Sequence, residues 1–164
     1  MRIEPKPGER LAEEDFVHVV RLTPLISIDL VVRLNDGRIL LGRRKNEPAR
    51  GTYFVPGGRI TKNETIQAAF RRITLSELGI EKKITEARFE GCFDHIYTTN
   101  VFGNAGFGTH YVVLGYQLEL TKELDHLPTE QHGDYIWMTE SQILNSQEVH
   151  ENTKAYFRLS PRAG

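Results

Sequence analysis

Residues 58–80 read GRITKNETIQAAFRRITLSELGI, a glycine turn that leads into a helical pattern. Thr61 and Glu64 have the spacing of a capping box, in which each side chain bonds the backbone N–H of the other residue. Apolar residues then recur at helical spacing, and Gly79 is a typical helix stop. The pattern therefore predicts a helix over about 63–78.

One face of this helix carries the residues that decide the chemistry. Ile73, Ser76 and Glu77 are spaced i, i+3 and i+4, so they lie on the same side of the helix. Three carboxylates in these positions would form a strong cluster for hard cations such as Mg²⁺. Only Glu77 is acidic here, which predicts a weaker metal site than such a cluster would make.

Apolar segments flank the helix on both sides and predict a β-sheet. Strands are expected over 25–34, 39–43, 53–55, 84–96, 109–120 and 135–138, the first two forming a hairpin, with further helices near 140–145 and 150–158. Strands around one central helix, with more helix at the end, favour a three-layer α/β/α domain.

Composition limits the class of protein. The 164 residues are 39% apolar and 26% charged, which is ordinary for one globular domain spanning 1–164. The formal net charge of −1 favours no nucleic-acid partner, and no apolar segment approaches the roughly 20 residues of a membrane-spanning helix. A single cysteine, Cys92, and an N-terminus without a secretory pattern predict a cytoplasmic protein. Residues 1–14 read as an irregular N-terminal arm.

The segment 58–80 resembles a Nudix box, whose pattern is G-x5-E-x7-R-E-U-x-E-E-x-G-U, with U a bulky apolar residue. Six positions match in register, namely Gly58, Glu64, Arg72, Glu77, Gly79 and Ile80. Ile73 and Ser76 stand where the family has glutamate. With these two departures, the segment resembles the box of one subfamily, the GDP-mannose mannosyl hydrolases. That box has the form G-x5-E-x7-R-U-T-x-x-E-L-G-U.

The resemblance to this subfamily covers nearly all of residues 15–158. The similar stretches are TPLISID at 23–29, GRR at 42–44, FVPGGR at 54–59, THYVVLGY at 109–116, EQH at 130–132 and NTKAYF at 152–157. The implied fold is a Nudix-type α/β/α sandwich with a mixed β-sheet. The implied reaction is attack of water on the anomeric carbon of GDP-mannose, with inversion and departure of GDP.

The resemblance implies one Mg²⁺ per subunit, or Mn²⁺ in its place, held by the Gly57 carbonyl, Glu77 and Gln131. All three are oxygen donors, as a hard cation requires, and substrate phosphates would complete the shell. Without the resemblance, Gly57 reads equally as an ordinary turn glycine and Glu77 as a solvated carboxylate at a helix end.

His132 is the candidate general base, because an imidazole accepts a proton near neutral pH. The alternative for His132 is an ordinary surface histidine. Asp29 lies inside an apolar strand, where an unpaired charge is costly. The resemblance gives Asp29 a catalytic role, in orienting an arginine or the sugar, and the alternative is a buried ion pair with a structural arginine.

Four arginines are candidates for contacts with the diphosphate, since guanidinium groups bind phosphate bidentately and stay charged. Arg44 and Arg59 are expected to stabilise the leaving group. Arg72 is either a substrate contact or the partner of Glu64 in bracing the turn. Arg43 alternates with Arg44 along a strand, so one of the two faces solvent.

Three further residues are candidate substrate contacts. Tyr111 matches a substrate-contacting tyrosine of the family, and the alternative is a half-buried strand tyrosine. His95 is expected at the sugar hydroxyls, and Asp15 with the arm before it at the guanine.

Three functions remain open from the sequence. The first is hydrolysis of GDP-mannose, or of GDP-glucose, which differs only at C2, to GDP and free sugar. The second is a conventional Nudix pyrophosphohydrolase that yields GMP and a sugar 1-phosphate, and the third is a non-catalytic nucleotide-sugar binding protein. The resemblance also implies a homodimer and a role in polysaccharide biosynthesis.

Overall fold

The computed structural model describes residues 4–103 and 106–158. Its helices are α1 (Glu13–Leu22), α2 (Ile66–Leu78), α3 (Glu140–Asn145) and α4 (Glu151–Arg158). Its strands are β1 (Leu25–Leu34), β2 (Ile39–Arg44), β3 (Tyr53–Phe54), β4 (Gly57–Arg59), β5 (Ala87–Tyr97), β6 (Thr109–Leu120) and β7 (His132–Met138). A short 3₁₀ turn, Ile84–Glu86, precedes β5.

The strands form one mixed sheet in the order β3-β2-β1-β6-β5, with β4 paired to β1 and β7 to β2. The central pair, β1 and β6, is parallel and runs in register from Leu25↔Tyr111 to Leu34↔Leu120. The other pairings are antiparallel. The predicted fold class, an α/β/α sandwich with a mixed sheet, is confirmed.

Each face of the sheet has its own core, because successive side chains of β1 point to opposite sides. Ile28, Leu30 and Val32 pack with residues of α2 on one face. Val31 packs on the other face, together with Ile143 of α3 and with α4. We refer to these as the α2 face and the α4 face. A strand buried on both sides explains the nearly continuous apolar run at 25–34.

Helix α2 begins later than predicted, although its end is as expected. Thr65 is the N-cap, and its side chain accepts a hydrogen bond from the backbone N–H of Ala68. Thr61 and Glu64 therefore lie in the preceding loop, where the Glu64 carboxylate accepts from the Thr61 N–H at 3.0 Å. Gly79 closes the helix in the left-handed conformation with φ 70°.

The chain around the predicted arm departs most from expectation. Residues 4–12 lack helix and strand, as predicted, but α1 follows directly and was not predicted. Three acidic residues in its first turn and Arg21 in its last complement the helix dipole. The arm lies against the loop before α2, where the Gly8 N–H donates to Thr61 Oγ1 at 2.7 Å. Residues 1–3 lie outside the described part.

The strand boundaries differ modestly. Strand β4 was not predicted, β5 starts at Ala87 rather than at 84, and β7 starts at His132 rather than at 135. The two C-terminal helices lie where they were expected. Within residues 4–103 and 106–158, no helix combines the length and the apolar character needed to cross a bilayer.

Candidate active site

Glu77, Gln131 and His132 meet on the α2 face. Glu77 is only 3% exposed at the end of α2. Gln131 Nε2 donates to its Oε1 at 2.8 Å, and His132 Nε2 lies 3.4 Å from its Oε2. The structure thus brings Glu77 together with two adjacent residues, Gln131 and His132, of which Gln131 lies 54 positions further along the sequence. Glu77 is not the solvated carboxylate of the alternative interpretation.

A β-bulge places His132 in this cluster. Strand β7 pairs with β2 through Gly42↔Tyr135 and then Arg44↔His132, so β7 has one residue more than β2 between the two pairs. His132 and Tyr135, three positions apart, consequently share a side of the sheet, with ring centroids 5.4 Å apart. A Cβ on Gly42 would lie 2.5 Å from the imidazole, so the ring requires a glycine there.

The donors around Glu77 fit one divalent cation. A buried carboxylate needs a compensating charge, and within the described residues no lysine or arginine forms an ion pair with Glu77. The amide of Gln131 can present its oxygen after rotation by 180°, because amide orientation follows the local hydrogen bonds. No group of three or more His, Cys, Asp or Glu suited to a metal exists in the described chain. The described contacts at this site are thus one carboxylate, Glu77, with the Gln131 amide and the His132 ring beside it.

Positions 73 and 76, where two more carboxylates would complete an acidic cluster, carry isoleucine and serine. Ile73 is buried in the core of the α2 face. The Ser76 hydroxyl donates to the Ile73 carbonyl at 3.2 Å. Neither residue can supply a carboxylate, so the depletion predicted from the sequence is present in the fold.

Asp29 forms a second group on the α4 face. Its side chain is 14% exposed, and the Tyr156 hydroxyl donates to its Oδ2 at 2.6 Å. Burial raises the pKa of Asp29 to about 6, against the opposing effects of Tyr156 and of the Arg44 charge. Its hydrogen-bond partner is thus a tyrosine, whereas Arg44 acts through its charge.

Arg44 and His95 lie near Asp29, and His150 lies near both of them. The Arg44 guanidinium lies 5.0 Å from the Phe54 ring centroid, and His150 stacks on the same ring at 4.6 Å. His95 Nδ1 lies 4.0 Å from Asp29 Oδ2, while its buried Nε2 has no hydrogen-bond partner in the described part of the chain. Burial, with His150 and Arg44 nearby, lowers the pKa of His95 to about 4, so this ring is neutral at pH 7.

The Glu77 group and the Asp29 group lie next to each other where β2 pairs with β7. Arg44 of β2 is the register partner of His132 of β7. The Arg44 side chain belongs to the Asp29 group, and the His132 side chain belongs to the Glu77 group. Gly57 lies on β4 as the register partner of Asp29, and a Cβ on Gly57 would come within 2.6 Å of Asp29 Oδ1. Gly57 is thus more than an ordinary turn glycine.

Arg59 connects the candidate site to α1. Its guanidinium lies 3.9 Å from the ring centroid of Phe16, which also makes an edge contact with Phe102 at 5.3 Å. Asp15 precedes Phe16 in the first turn of α1 and is half-buried. Burial raises the pKa of Tyr111, and the charges of Arg44 and Arg59 oppose that rise. The structure therefore brings Arg59 and Tyr111 into the neighbourhood of Arg44.

The other two candidate arginines are engaged by carboxylates. Arg72 donates to both Glu64 oxygens, at 2.7 and 2.8 Å, and to the Arg59 carbonyl at 2.8 Å. This is the turn-bracing role that the sequence left open beside substrate binding. Arg43 pairs with Glu148 at 2.7 Å and lies over the Tyr53 ring. Arg44, rather than Arg43, is the strand arginine on the Asp29 side.

Residues of α4 and α1 were missed by sequence reasoning. Tyr156 and Phe16 contact predicted site residues, and His150, which directly precedes α4, lies near Arg44 and His95, but in the sequence all three read as ordinary aromatic positions. The NTKAYF stretch was noted only as part of the resemblance. The buried Asp29 was the available signal, because a charge inside a strand requires a polar partner from another element.

A mixed sheet between helical layers, with a capped helix that ends in a buried glutamate, defines a Nudix-type domain. The chain belongs to the NUDIX domain family, whose model matches residues 23–159, and it is by family a Nudix hydrolase.

Among known proteins, the chain is 38% identical over 125 residues to the low-salt glycan biosynthesis protein Agl8 of Haloferax volcanii, covering 76% of this chain and 78% of that protein. The crystal structure of a MutT NUDIX hydrolase from Burkholderia pseudomallei superposes with a TM-score of 0.67 at 25% identity, covering 83% and 97% of the two chains. The NUDIX domain of Shewanella oneidensis NrtR, solved with ADP ribose, has a TM-score of 0.61 at 15% identity, covering 92% of this chain and all of that one. At that identity it shows a shared fold alone.

Asp29 offers a prediction on stability. Asp29→Asn is expected to stabilise the metal-free protein at pH 7 by about 1–3 kcal/mol. Because the folded-state pKa is raised from 3.8 to about 6, the folded protein keeps a proton that the unfolded chain has lost between these values. Stability therefore falls as pH rises through this window, and asparagine removes that loss.

Urea denaturation at pH 4 and pH 7, with EDTA present, measures this effect. The wild-type protein is expected to lose more stability than the variant between the two pH values. Asp94→Asn, at an exposed carboxylate paired with His110, is the matched control and is expected to show no such gain. A lower stability of Asp29→Asn at pH 7 would contradict the prediction.

Proposed function

We propose that this protein hydrolyses GDP-mannose at the anomeric carbon and releases GDP and free mannose. The observation that carries the proposal is the cluster of Glu77 with Gln131 and His132, at a helix whose positions 73 and 76 carry no carboxylate. Chemistry at phosphorus in this family relies on several carboxylates to hold metals. One carboxylate with a neighbouring base suits displacement at carbon, where the diphosphate leaves.

In the proposed reaction, His132 acts as the general base. Water forms a bond to C1 of the sugar and gives a proton to the imidazole, while the C1–O bond breaks and its electron pair leaves with GDP. His132 supports this role through its place in the cluster, since its Nε2 lies 3.4 Å from Glu77 Oε2 and its Nδ1 has no hydrogen-bond partner among the described residues. The attack comes from the face opposite the leaving group and inverts the configuration.

The departing diphosphate gains negative charge, and cations aimed at it stabilise the transition state. We assign this role to Arg44 and Arg59, with Tyr111 as a hydrogen-bond donor. Nudix hydrolases generally use divalent ions such as Mg²⁺. A single Mg²⁺, held by Glu77, Gln131 and the Gly57 carbonyl, would neutralise part of the phosphate charge when bound. Asp29 and the neutral His95 are proposed to contact the sugar or orient Arg44.

The proposed substrate is a guanosine diphosphate sugar. The relation to a glycan biosynthesis protein supports a nucleotide-sugar substrate and a role in polysaccharide biosynthesis. GDP-glucose differs from GDP-mannose only at C2 and is proposed as a second substrate. Asp15 is proposed to contact the guanine. We further propose a cytoplasmic homodimer, which light scattering after size exclusion tests.

Hydrolysis in ¹⁸O-labelled water distinguishes the candidate reactions. With GDP-mannose and Mg²⁺, mass spectrometry is expected to find the label in mannose and unlabelled GDP. Label in a phosphate, with GMP and mannose 1-phosphate as products, would establish a conventional Nudix pyrophosphohydrolase instead. Binding of GDP-mannose without any product would indicate a binding protein. A parallel run with GDP-glucose measures the preference at C2.

A further inference from the structure

Tyr156 makes the shortest described contact to Asp29. Its hydroxyl donates to Asp29 Oδ2 at 2.6 Å, across 127 positions of sequence. Tyr156 is 7% exposed, so bulk water does not compete for this bond. The C-terminal helix α4 thereby reaches a candidate catalytic residue on the central strand.

The Tyr156 ring is held in place independently of its hydroxyl. It packs edge-on against Phe93, with centroids 4.6 Å apart and planes at 70°, and it lies 6.1 Å from the His95 ring. It also belongs to the core of the α4 face, with Val31 and Ile143. The ring position is thus set by packing, and the hydroxyl is a single additional group directed at Asp29.

The two oxygens of Asp29 face different elements. Oδ2 accepts from Tyr156, whereas Oδ1 lies toward Gly57 of β4. The carboxylate can turn only by breaking the bond to Tyr156. Without the hydroxyl, Oδ2 would keep no hydrogen-bond donor from α4 and the side chain would be free to change rotamer.

We infer that Tyr156 is a positioning residue, which fixes the Asp29 carboxylate in the orientation that the reaction uses. The inference rests on the proposed function, since it assigns the consequence of that orientation to sugar hydrolysis. A purely structural tyrosine would support the fold through its ring. A positioning tyrosine acts through its hydroxyl and only while Asp29 is present.

The test is a double-mutant cycle of Tyr156→Phe and Asp29→Ala, with GDP-mannose as substrate. Tyr156→Phe alone is expected to lower kcat by about tenfold and to change KM by less than about twofold. The reason is that a misplaced Asp29 carboxylate weakens the stabilisation of the transition state more than the binding of the substrate. In the Asp29→Ala background the same change is expected to alter kcat by less than about twofold. Tyr116→Phe, on the α2 face, is the control.

A crystal structure of Tyr156→Phe gives a second readout that needs no turnover. Asp29 is expected to leave its present rotamer, and an unchanged rotamer or equal kcat losses in both backgrounds would overturn the inference. If the wild-type protein does not hydrolyse GDP-mannose, the proposed function fails, while the Asp29 rotamer still decides the positioning role. Thermal melting checks the fold, and the kinetics of all variants are compared at a temperature below the melting transition of the least stable one.

Discussion

Replacing His132 by glutamine is expected to lower kcat for GDP-mannose hydrolysis by about 10²–10⁴-fold, because the reaction loses its general base. Glutamine can still donate a hydrogen bond to Glu77, and it fills much of the space beneath Gly42. It has no nitrogen that accepts a proton at neutral pH. The loss should therefore fall on the chemical step, with KM changed by less than about threefold.

The measurement is the steady-state release of GDP at saturating Mg²⁺. His110→Gln is the matched control, since His110 lies on β6 and pairs with Asp94, an exposed carboxylate on β5. The control should keep wild-type kcat, and both variants should melt close to the wild-type temperature. A His132→Gln variant with nearly full kcat would show that another group takes the proton, and the assignment of the base would then be wrong.

Much of the fold could be predicted because its signals are local. The hairpin at 25–44, the end of α2 at Gly79 and the strand at 109–120 all follow from turn residues and apolar spacing. Helix α1 was missed because its first residues, Glu13 and Glu14, belong to the stretch predicted as an irregular arm, and because its three valines have low helix propensity. The start of α2 was placed too early because a capping-box spacing also occurs in the loop before the true N-cap, Thr65.

The sequence proposed the residues of the candidate site, but it did not predict how they are arranged. The sequence marks Glu77, Gln131 and His132, whereas their meeting depends on a bulge whose position is visible only when β7 is paired with β2. Tyr156 was missed since a tyrosine in a helical apolar pattern reads as core. Its ring is in fact core, and only its hydroxyl serves Asp29.

The Arg72–Glu64 pair shows why motif matches need geometry. Both residues match the family pattern, and the sequence left Arg72 open between substrate and brace. In the structure the Arg72 guanidinium donates to both oxygens of the Glu64 carboxylate, which is 3% exposed, and to the Arg59 carbonyl. These contacts tie the loop before α2 to the helix. Helix α2, which carries Glu77, and strand β4, which carries Arg59, are thereby held in a fixed relative position.

Replacing Glu77 by glutamine is expected to abolish most of the Mg²⁺ response while leaving the fold intact. The variant removes the buried carboxylate charge that Glu77 would offer to a cation at this site. Loss of several kcal/mol of charge stabilisation corresponds to a rate about 10²–10³-fold lower at 1 mM Mg²⁺. The concentration of Mg²⁺ for half-maximal activity is expected to rise by about tenfold or more.

The Glu77→Gln variant is expected to lose activity without losing thermal stability. Glu77 is buried between the Gln131 amide and the His132 ring, and because no described lysine or arginine pairs with it, the buried carboxylate costs free energy that glutamine avoids. Metal-free Glu77→Gln is therefore expected to melt at or above the wild-type temperature. This combination separates a metal ligand from a structural residue, whose loss would lower stability and activity together.

Titration of activity with Mg²⁺ and direct binding of Mn²⁺, followed by electron paramagnetic resonance, check both halves of the prediction. Glu81→Gln, at an exposed carboxylate paired with Arg71, is the matched control and should bind Mn²⁺ like the wild type. Unchanged Mg²⁺ dependence in Glu77→Gln would remove Glu77 from the metal site. Detection of several Mn²⁺ ions per wild-type subunit would remove the argument for chemistry at carbon, since a multi-metal site can support attack at phosphorus.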